Sequence, residues 1–480
     1  MAKNILIFSD GTGQAGGLRP EQRLSNIYKL YRATKIGPES DIDPKIQFAF
    51  YDAGLGSELD DSVVNLTFLR WFWKLFSSVT GTGISRNIAD CYEYILKNYN
   101  PGDRIYLFGF SRGAYTVRCL GGVLKYCGVP TTDADGKPIV NFGNAIRKIA
   151  EEAVNDVYGH GAGKDPATYA PERVVKAERF RKKYNSEIEG KSKAIPYFIG
   201  VFDTVAALGM KGARRFFAFF IATTLFLAAM YGITKFINIF ANVSLISLLT
   251  LTTSTTFLIS SLWYLIKNFR IIRNYPTLGK FKWHIALGWK FKFYDLSLNS
   301  DVYAARHALA IDETRRDFDR VGWGNKTTSI ERKPGEPIWL QQLWFSGCHS
   351  DIGGSYPEDE SRLSDVSLNW MLEQVSALPY PIYYDPSKLH LFPDPLGLMH
   401  SEVFASNEII DKWFPKWWPE HFRPGWEINV RTEASGAPLH PSVEYRIKAD
   451  SVSYCGARSK YMPEALSYDP RYPDLCKIKT

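Results

Sequence analysis

The sequence predicts an α/β fold built on a mostly parallel, doubly wound sheet, and three observations predict it. The first is a strand–turn–helix signature. The apolar, β-prone run Asp103-Arg104-Ile105-Tyr106-Leu107-Phe108 leads into Gly109-Phe110-Ser111-Arg112-Gly113, and Ala114–Leu120 continues as a helix. The second is a pair of later apolar strands, Pro196–Phe202 and Ile338–Phe345. They run into segments carrying Asp203 and His349. The third is a short apolar strand at the start, Lys3–Phe8, followed by Ser9-Asp10-Gly11-Thr12-Gly13. Open parallel sheets place their active sites at the carboxyl ends of strands.

In chain order, the Gly-rich loop after the first strand offers backbone N–H groups of Gly11 and Thr12 to a developing oxyanion. The N–H of Arg112 is the expected partner donor. Asp10 is read as orienting that loop through an Asx-turn, and Asp351 as a loop-orienting carboxylate in the later loop. No His/Cys ligand spacing accompanies the two carboxylates, so no metal is expected. The aromatic run Phe68–Phe76 reads as core, with an acyl-chain groove as the alternative. Ser111 sits in a G-x-S-x-G elbow, whose sharp turn projects the serine Oγ from the sheet edge. Its flanking glycines are required because the close helix–strand approach leaves no room for a Cβ. The charged, helix-like stretch 131–195 is read as a cap over the site.

Asp203 is the expected acid and His349 the expected base, which must reach the serine while the acid fixes its tautomer. Asp203 as a helix N-cap is the bland alternative. Tyr303–Glu313 looks helical, with Ala and Leu on one face, and makes His307 the alternative base. Cys348, beside His349, is a competing nucleophile with poorer backbone context than Ser111.

Between Asp203 and Tyr303 lies a second signal. Phe216–Thr234 and Val243–Ile266 carry no charge, and each is long enough to cross a hydrocarbon core of about 30 Å as a helix. The short link holds Lys235, Asn238 and Asn242, which forces an antiparallel pair. Lys211, Arg214 and Arg215 precede the pair and Lys267, Arg270 and Arg273 follow it. A membrane-spanning hairpin with both ends on the cytoplasmic side is expected. A lid that only touches lipid, or a buried core hairpin, are the alternatives. Leu278–Tyr294 alternates lysines with aromatics at its ends and suits the headgroup level of the same leaflet, or an amphipathic element packed on the enzyme.

The chain has 480 residues, of which 45% are hydrophobic, enough for one elaborated domain with insertions. Expected units are a core over 1–205, a hairpin over 206–275, a second core part over 276–400, and a Trp/Pro-rich extension over 401–480. The net charge of +8 is too small and dispersed for a nucleic-acid partner, and no nucleic-acid-binding motif accompanies it. The first strand is read as beginning almost at Met1, so no secretory signal peptide is expected. Six cysteines without C-x-x-C or framework spacing suit thiols in a reducing compartment. Trp413, Trp417, Trp418 and Trp426 lie among prolines near the end, against the core or the membrane.

Six blocks carry a resemblance: Phe8–Gly13, Tyr51–Gly56, Gly102–Tyr115, Gly200–Val205, His307–Glu313 and Trp344–Gly354. Together, in this order, they resemble the microbial α/β-hydrolase family, long filed as a domain of unknown function, to which type VI secretion phospholipase effectors belong. The resemblance leaves out roughly residues 206–300 and the last hundred or so. It implies an α/β-hydrolase fold and serine-dependent ester hydrolysis, with lipids as frequent substrates. It carries the nucleophile onto Ser111, the acid onto Asp203 and the base onto His349. The insertion after Asp203 is the departure. The expectation is a membrane-anchored serine hydrolase, facing the cytoplasm, acting on membrane lipid without a cofactor. A tethered esterase for a soluble ester, or a non-catalytic scaffold, are the alternatives.

Overall fold

The computed structural model describes residues 2–14, 16, 23–54, 82–139, 144–161, 166–205, 224, 227–228, 230–232, 234–236, 244–277, 279–285, 297–323, 332–413 and 425–478. Its principal strands are β1 (Asn4–Ser9), β2 (Gln47–Asp52), β3 (Arg104–Phe110), β4 (Pro196–Phe202), β5 (Phe269–Arg273), β6 (Phe281–Ile285), β7 (Ala304–Ala310) and β8 (Leu340–Phe345). The principal helices are α1 (Asn26–Thr34), α2 (Thr82–Asn98), α3 (Arg112–Cys127), α4 (Asn144–Glu151), α5 (Pro166–Lys183), α6 (Leu245–Asn268), α7 (His349–Gly353), α8 (Arg362–Ser376), α9 (Glu402–Trp413) and α10 (Pro441–Lys448).

Six strands form one parallel sheet in the order β8-β7-β4-β3-β1-β2. The strands read as apolar runs because a parallel sheet is covered on both faces. Alternate residues then serve different layers. Ile5, Ile7, Leu107 and Ile199 pack with Tyr92 of α2 and with Val117 and Leu120 of α3. Leu6, Phe8, Phe108 and Phe198 face Ile27 and Leu30 of α1 and Leu368 and Met371 of α8. The chain leaves β1 toward β2 and returns to place β3 on the other side of β1. The β1–β3 gap is therefore the topological switch point, where such sheets open a crevice at their carboxyl ends. Ser9 of β1 lies in register with Gly109 of β3, so the Asp10–Gly13 loop and the Ser111 turn share that crevice.

Close backbone packing explains the two glycines of the elbow. A Cβ on Gly109 would meet Ala114 N at 2.6 Å, and one on Gly113 would meet Ser9 O at 2.0 Å. Neither neighbour is a flexible side chain. Gly113→Ala should therefore lower stability by about 3 kcal/mol or more, the upper range of overpacking. A denaturant midpoint unchanged from wild type would contradict this close approach.

Residues 303–313, expected as a helix, instead contain β7, between β4 and β8. Ala304, Ala305, Ala308 and Ala310 are helix formers by local propensity. All seven residues of β7 are buried, and pairing on both sides overrides that preference. The stretch read as a cap places Ile146, Val154, Val157 and Phe180 in the same core as α2 and α3. Within it, Glu152–Tyr158 is a π-helical turn.

The expected hairpin is represented by α6. It contains the 18-residue stretch Ile246–Trp263, long and apolar enough to cross a membrane, with none of that stretch buried. Its hydroxyls bond back to the helix, as Thr253 Oγ1 does to Leu249 O (2.7 Å) and Thr256 Oγ1 to Thr252 O (2.8 Å). The first arm, Phe216–Thr234, falls largely outside the described residues, so one apolar helix rather than a pair is described. Residues 230–232 and 234–236 are helical, and Thr234 Oγ1 lies 3.1 Å from Thr252 Oγ1 of α6. Phe68–Phe76, Trp417, Trp418 and residues 286–294 of the Lys/aromatic strip also lie outside the described residues. The strip's described part is β6, paired antiparallel with β5.

The C-terminal extension packs on the sheet edge. Trp344 N donates to Pro438 O (3.1 Å) and His440 N to Trp344 O (2.9 Å). Leu309, Ile311 and Trp344 share a cluster with Val443, Tyr461 and Leu466.

Candidate active site

Ser111 lies between the end of β3 and the start of α3 with φ 57° and ψ −121°. Positive φ is uncommon for a residue with a Cβ, and such strain persists only where surrounding structure imposes it. Here Ser111 N donates to Phe202 O (3.1 Å), the last residue of β4. Asp203 follows immediately, also at positive φ (34°), and its N–H donates to Ala308 O at 2.7 Å. Adjacent strands thus present Ser111 and Asp203 at the same end of the sheet.

His349 opens α7, one short helix rather than the open loop expected from Gly347, Gly353 and Gly354. Its Nδ1 lies 2.6 Å from Asp203 Oδ2. The ring stacks on Phe110, the residue before Ser111, with centroids 4.7 Å apart, and meets Phe318 edge-on at 5.0 Å. His349 Nε2 is buried and has no hydrogen-bond partner among the described residues. The structure therefore brings His349 and Asp203, the two expected partners of Ser111, together and sets both beside the elbow. The serine–imidazole hydrogen bond is not formed, a common state of such sites without substrate.

Burial alone would raise the pKa of Asp203. The Arg431 charge and the His349 bond instead hold it well below the ordinary carboxylate range. Arg431 Nη1 donates to Oδ1 (2.6 Å), Arg431 Nη2 lies 3.2 Å from Oδ2, and Ala310 N donates to Oδ1 (3.1 Å). Glu313 Oε2 accepts the N–H of His349 at 3.2 Å and is itself clasped by Arg315. Neither Arg431 nor Glu313 was assigned from sequence. Glu313 closes one of the family-like blocks, a usable signal. Arg431 lies 228 positions from Asp203 in a Pro- and Trp-rich tail and carries no local signature.

His307 sits within β7, fully buried. Its Nε2 accepts from Thr204 N (3.3 Å) and its Nδ1 faces Gln342 Oε1 (3.3 Å). Burial pushes its pKa down to about 3. Both ring nitrogens are thus engaged by Thr204 and Gln342.

In the first loop, Asp10 Oδ1 accepts the Gly11 N–H (2.7 Å), while Oδ2 accepts Ser25 Oγ (2.5 Å) and Tyr51 OH (2.7 Å). Asp10 therefore ties the loop to the N-cap of α1 and to β2, and burial raises its pKa to about 6. The Gly11 N–H is thereby spent inside the loop. The Thr12 hydroxyl is buried without a partner among the described residues. Asp351 Oδ2 accepts from Cys348 N (3.1 Å) and His400 N (3.0 Å), joining the start of α7 to the loop before α9. Cys348 is buried against Tyr356 OH at 3.3 Å, and burial drives its thiol pKa well above the usual value. That disfavours the thiolate a cysteine nucleophile requires.

The strained serine turn, with a carboxylate–imidazole pair beside it, thus sits at the switch point of a parallel sheet, where α/β proteins of this class open their ligand crevice. Residues 3–248 and 250–374 match the family described as T6SS, phospholipase effector Tle1-like, catalytic domain, and the chain belongs to that family. A curated relative, "Uncharacterized protein YEL023C" of Saccharomyces cerevisiae (strain ATCC 204508 / S288c), is 29% identical over 220 residues. That match covers 45% of this chain and 28% of the relative, so the chain spans well under a third of that protein. Two solved structures are similar at low identity. A crystal structure of an uncharacterized protein from Pseudomonas aeruginosa is 16% identical, with TM-score 0.37, covering 84% of this chain and 50% of that one. The Tle1 effector bound to the VgrG spike of the type 6 secretion system is 17% identical, with TM-score 0.27, covering 75% of this chain and 52% of that one.

Proposed function

We propose that this chain is a serine-dependent carboxylic ester hydrolase of the α/β-hydrolase type, a phospholipase acting on acyl esters of membrane lipid. The observation that carries the reading is the Asp203–His349 pair at 2.6 Å, set beside the positive-φ turn of Ser111. Membership of a family described by a phospholipase effector domain supports the substrate class.

In this reading Ser111 Oγ attacks the acyl carbonyl carbon while His349 Nε2 takes the hydroxyl proton. Asp203 holds Nδ1–H and offsets the positive charge on the ring. The negative oxygen of the tetrahedral species is met by the N–H of Arg112, at the first position of α3, and by Thr12 across the crevice. His349 returns its proton to the leaving alcohol. Water, activated by the same nitrogen, then releases the fatty acid and restores Ser111. No step requires a metal or an organic cofactor.

We further propose that α6 and the apolar stretch before it form a hairpin inserted in the membrane, with the hydrolase on the cytoplasmic side. Leu251, Phe257, Leu258 and Trp263 are all more than half exposed, a poor fit to a soluble surface and a good fit to lipid. The test offers phospholipid vesicles and a short soluble ester side by side to wild type and to a variant with residues 216–266 replaced by a Gly/Ser link. The variant should keep ester turnover and lose about 100-fold on vesicles, because the anchor no longer concentrates the site at the bilayer. A thiol reagent that cannot cross membranes should reach Asn238→Cys from the non-cytoplasmic side. Wild type that fractionates as soluble overturns the anchor. Wild type that cleaves no acyl ester overturns the enzyme reading.

A further inference from the structure

The reaction above gives Arg431 no part, yet its placement is highly specific. Arg431 is 2% exposed and Asp203 0%. The guanidinium spans both carboxylate oxygens, Nη1 at 2.6 Å from Oδ1 and Nη2 at 3.2 Å from Oδ2. The same two nitrogens donate to Ala310 O (3.0 Å) and Phe318 O (2.6 Å). One side chain therefore knots together the end of β4, the end of β7 and the turn whose Phe318 ring abuts His349. It is delivered by extended residues that pair with Thr314–Arg316, through Arg316 N to Glu427 O (2.8 Å) and Asn429 N to Thr314 O (2.7 Å). Arg431 and the residues that deliver it lie beyond residue 374, where the family match ends, while the groups it binds lie within it.

We propose that Arg431 is a positioning residue that fixes Asp203 as a carboxylate turned to receive His349 Nδ1–H, so that the C-terminal extension completes the catalytic apparatus. This rests on the serine-hydrolase reading above. A bidentate guanidinium is suited to the task because its planar fork sets the rotation of the carboxylate as well as its charge. A protonated Asp203 would no longer hold the imidazole in the tautomer that leaves Nε2 free to accept.

The groups around Asp203 make the expected pH effect one-sided. From α7 it meets His349; from the extension, Arg431; from β7, the neutral, buried His307 and the Ala310 N–H. Glu313 and Asp319 act on Arg431 and support its charge. Remove Arg431, and burial works against the carboxylate with His349 and the Ala310 N–H as its remaining partners among the described residues. The pKa of Asp203 then rises, and its charged fraction falls as pH drops through the new value. The loss is greatest at the acid end.

The test measures the rate at which a fluorophosphonate labels Ser111 in the full chain, from about pH 5 to pH 9, alongside melting temperature. This readout needs the triad but no lipid. Arg431→Gln should label about 100-fold more slowly near neutrality, with its acid limb raised by about one pH unit or more. Arg431→Lys keeps the charge but loses the fork. It should recover about tenfold over the Gln variant and keep the wild-type limb. A folded Arg431→Gln with the wild-type rate and limb overturns the proposal. So does an equal loss at every pH that Lys does not relieve, which is the mark of a purely structural role. Should Arg431→Gln fail to fold, the Lys variant decides: slower labelling with an unshifted limb supports the proposal, and an unchanged rate overturns it. Wild type that does not label at Ser111 overturns the hydrolase reading itself, whatever the arginine variants do.

Discussion

Ser111→Ala should leave a folded protein that has lost ester turnover, with kcat lower by on the order of 10⁶, the scale of removing a triad nucleophile. At roughly 1.4 kcal/mol per tenfold, that is about 8 kcal/mol of barrier. Folding should survive for a specific reason. The strain at Ser111 belongs to φ 57°, and serine and alanine both carry the Cβ that makes this angle costly. The fixing contacts, Ser111 N to Phe202 O and Tyr115 N to Ser111 O, are backbone bonds that alanine keeps. Melting temperature should therefore stay near wild type while fluorophosphonate labelling disappears. An alanine variant that still turns over ester, or a label found on another residue, would remove Ser111 as nucleophile.

The sheet was legible where burial is complete and side chains are large. Pro196–Phe202 has the bounds read from its apolar run, and Lys3–Phe8 is displaced by one residue. A strand covered on both faces needs no alternation, so a short apolar run suffices as signal. β7 was not legible, because Ala-rich local preference points to a helix while only its neighbours make it a strand. The loop carboxylates Asp10 and Asp351 were read as loop organisers, and both hold loop ends to other elements through side-chain bonds. Gly11 as an N–H donor was less legible, since nothing in the sequence says that Asp10 Oδ1 takes that proton. Arg431 was beyond reach for a topological reason. It is brought to Asp203 by the pairing of residues 427–429 with Thr314–Arg316, not through any spacing along the chain.

His349→Ala and His307→Ala should separate cleanly. The two histidines differ in where their nitrogens point, not in burial. His349 donates Nδ1–H to Asp203 and leaves Nε2 without a partner among the described residues, beside the elbow. His307 accepts from Thr204 N with Nε2 and faces Gln342 with Nδ1, so no lone pair remains for a substrate proton. Replacing His349 should lower kcat by about the same factor as Ser111→Ala, because base and nucleophile act as a unit. The double variant should then be no slower than either single one. Replacing His307 leaves the Thr204 N–H buried and unpaired, which costs about 1–3 kcal/mol of stability. Its kcat should fall no more than severalfold, since Thr204 adjoins Asp203 and can shift it only slightly. Kinetics and denaturant midpoints on the three variants check this. If His307→Ala shows the large kinetic loss and His349→Ala only the stability loss, the base is His307, and the 2.6 Å contact between His349 and Asp203 is a packing feature of α7.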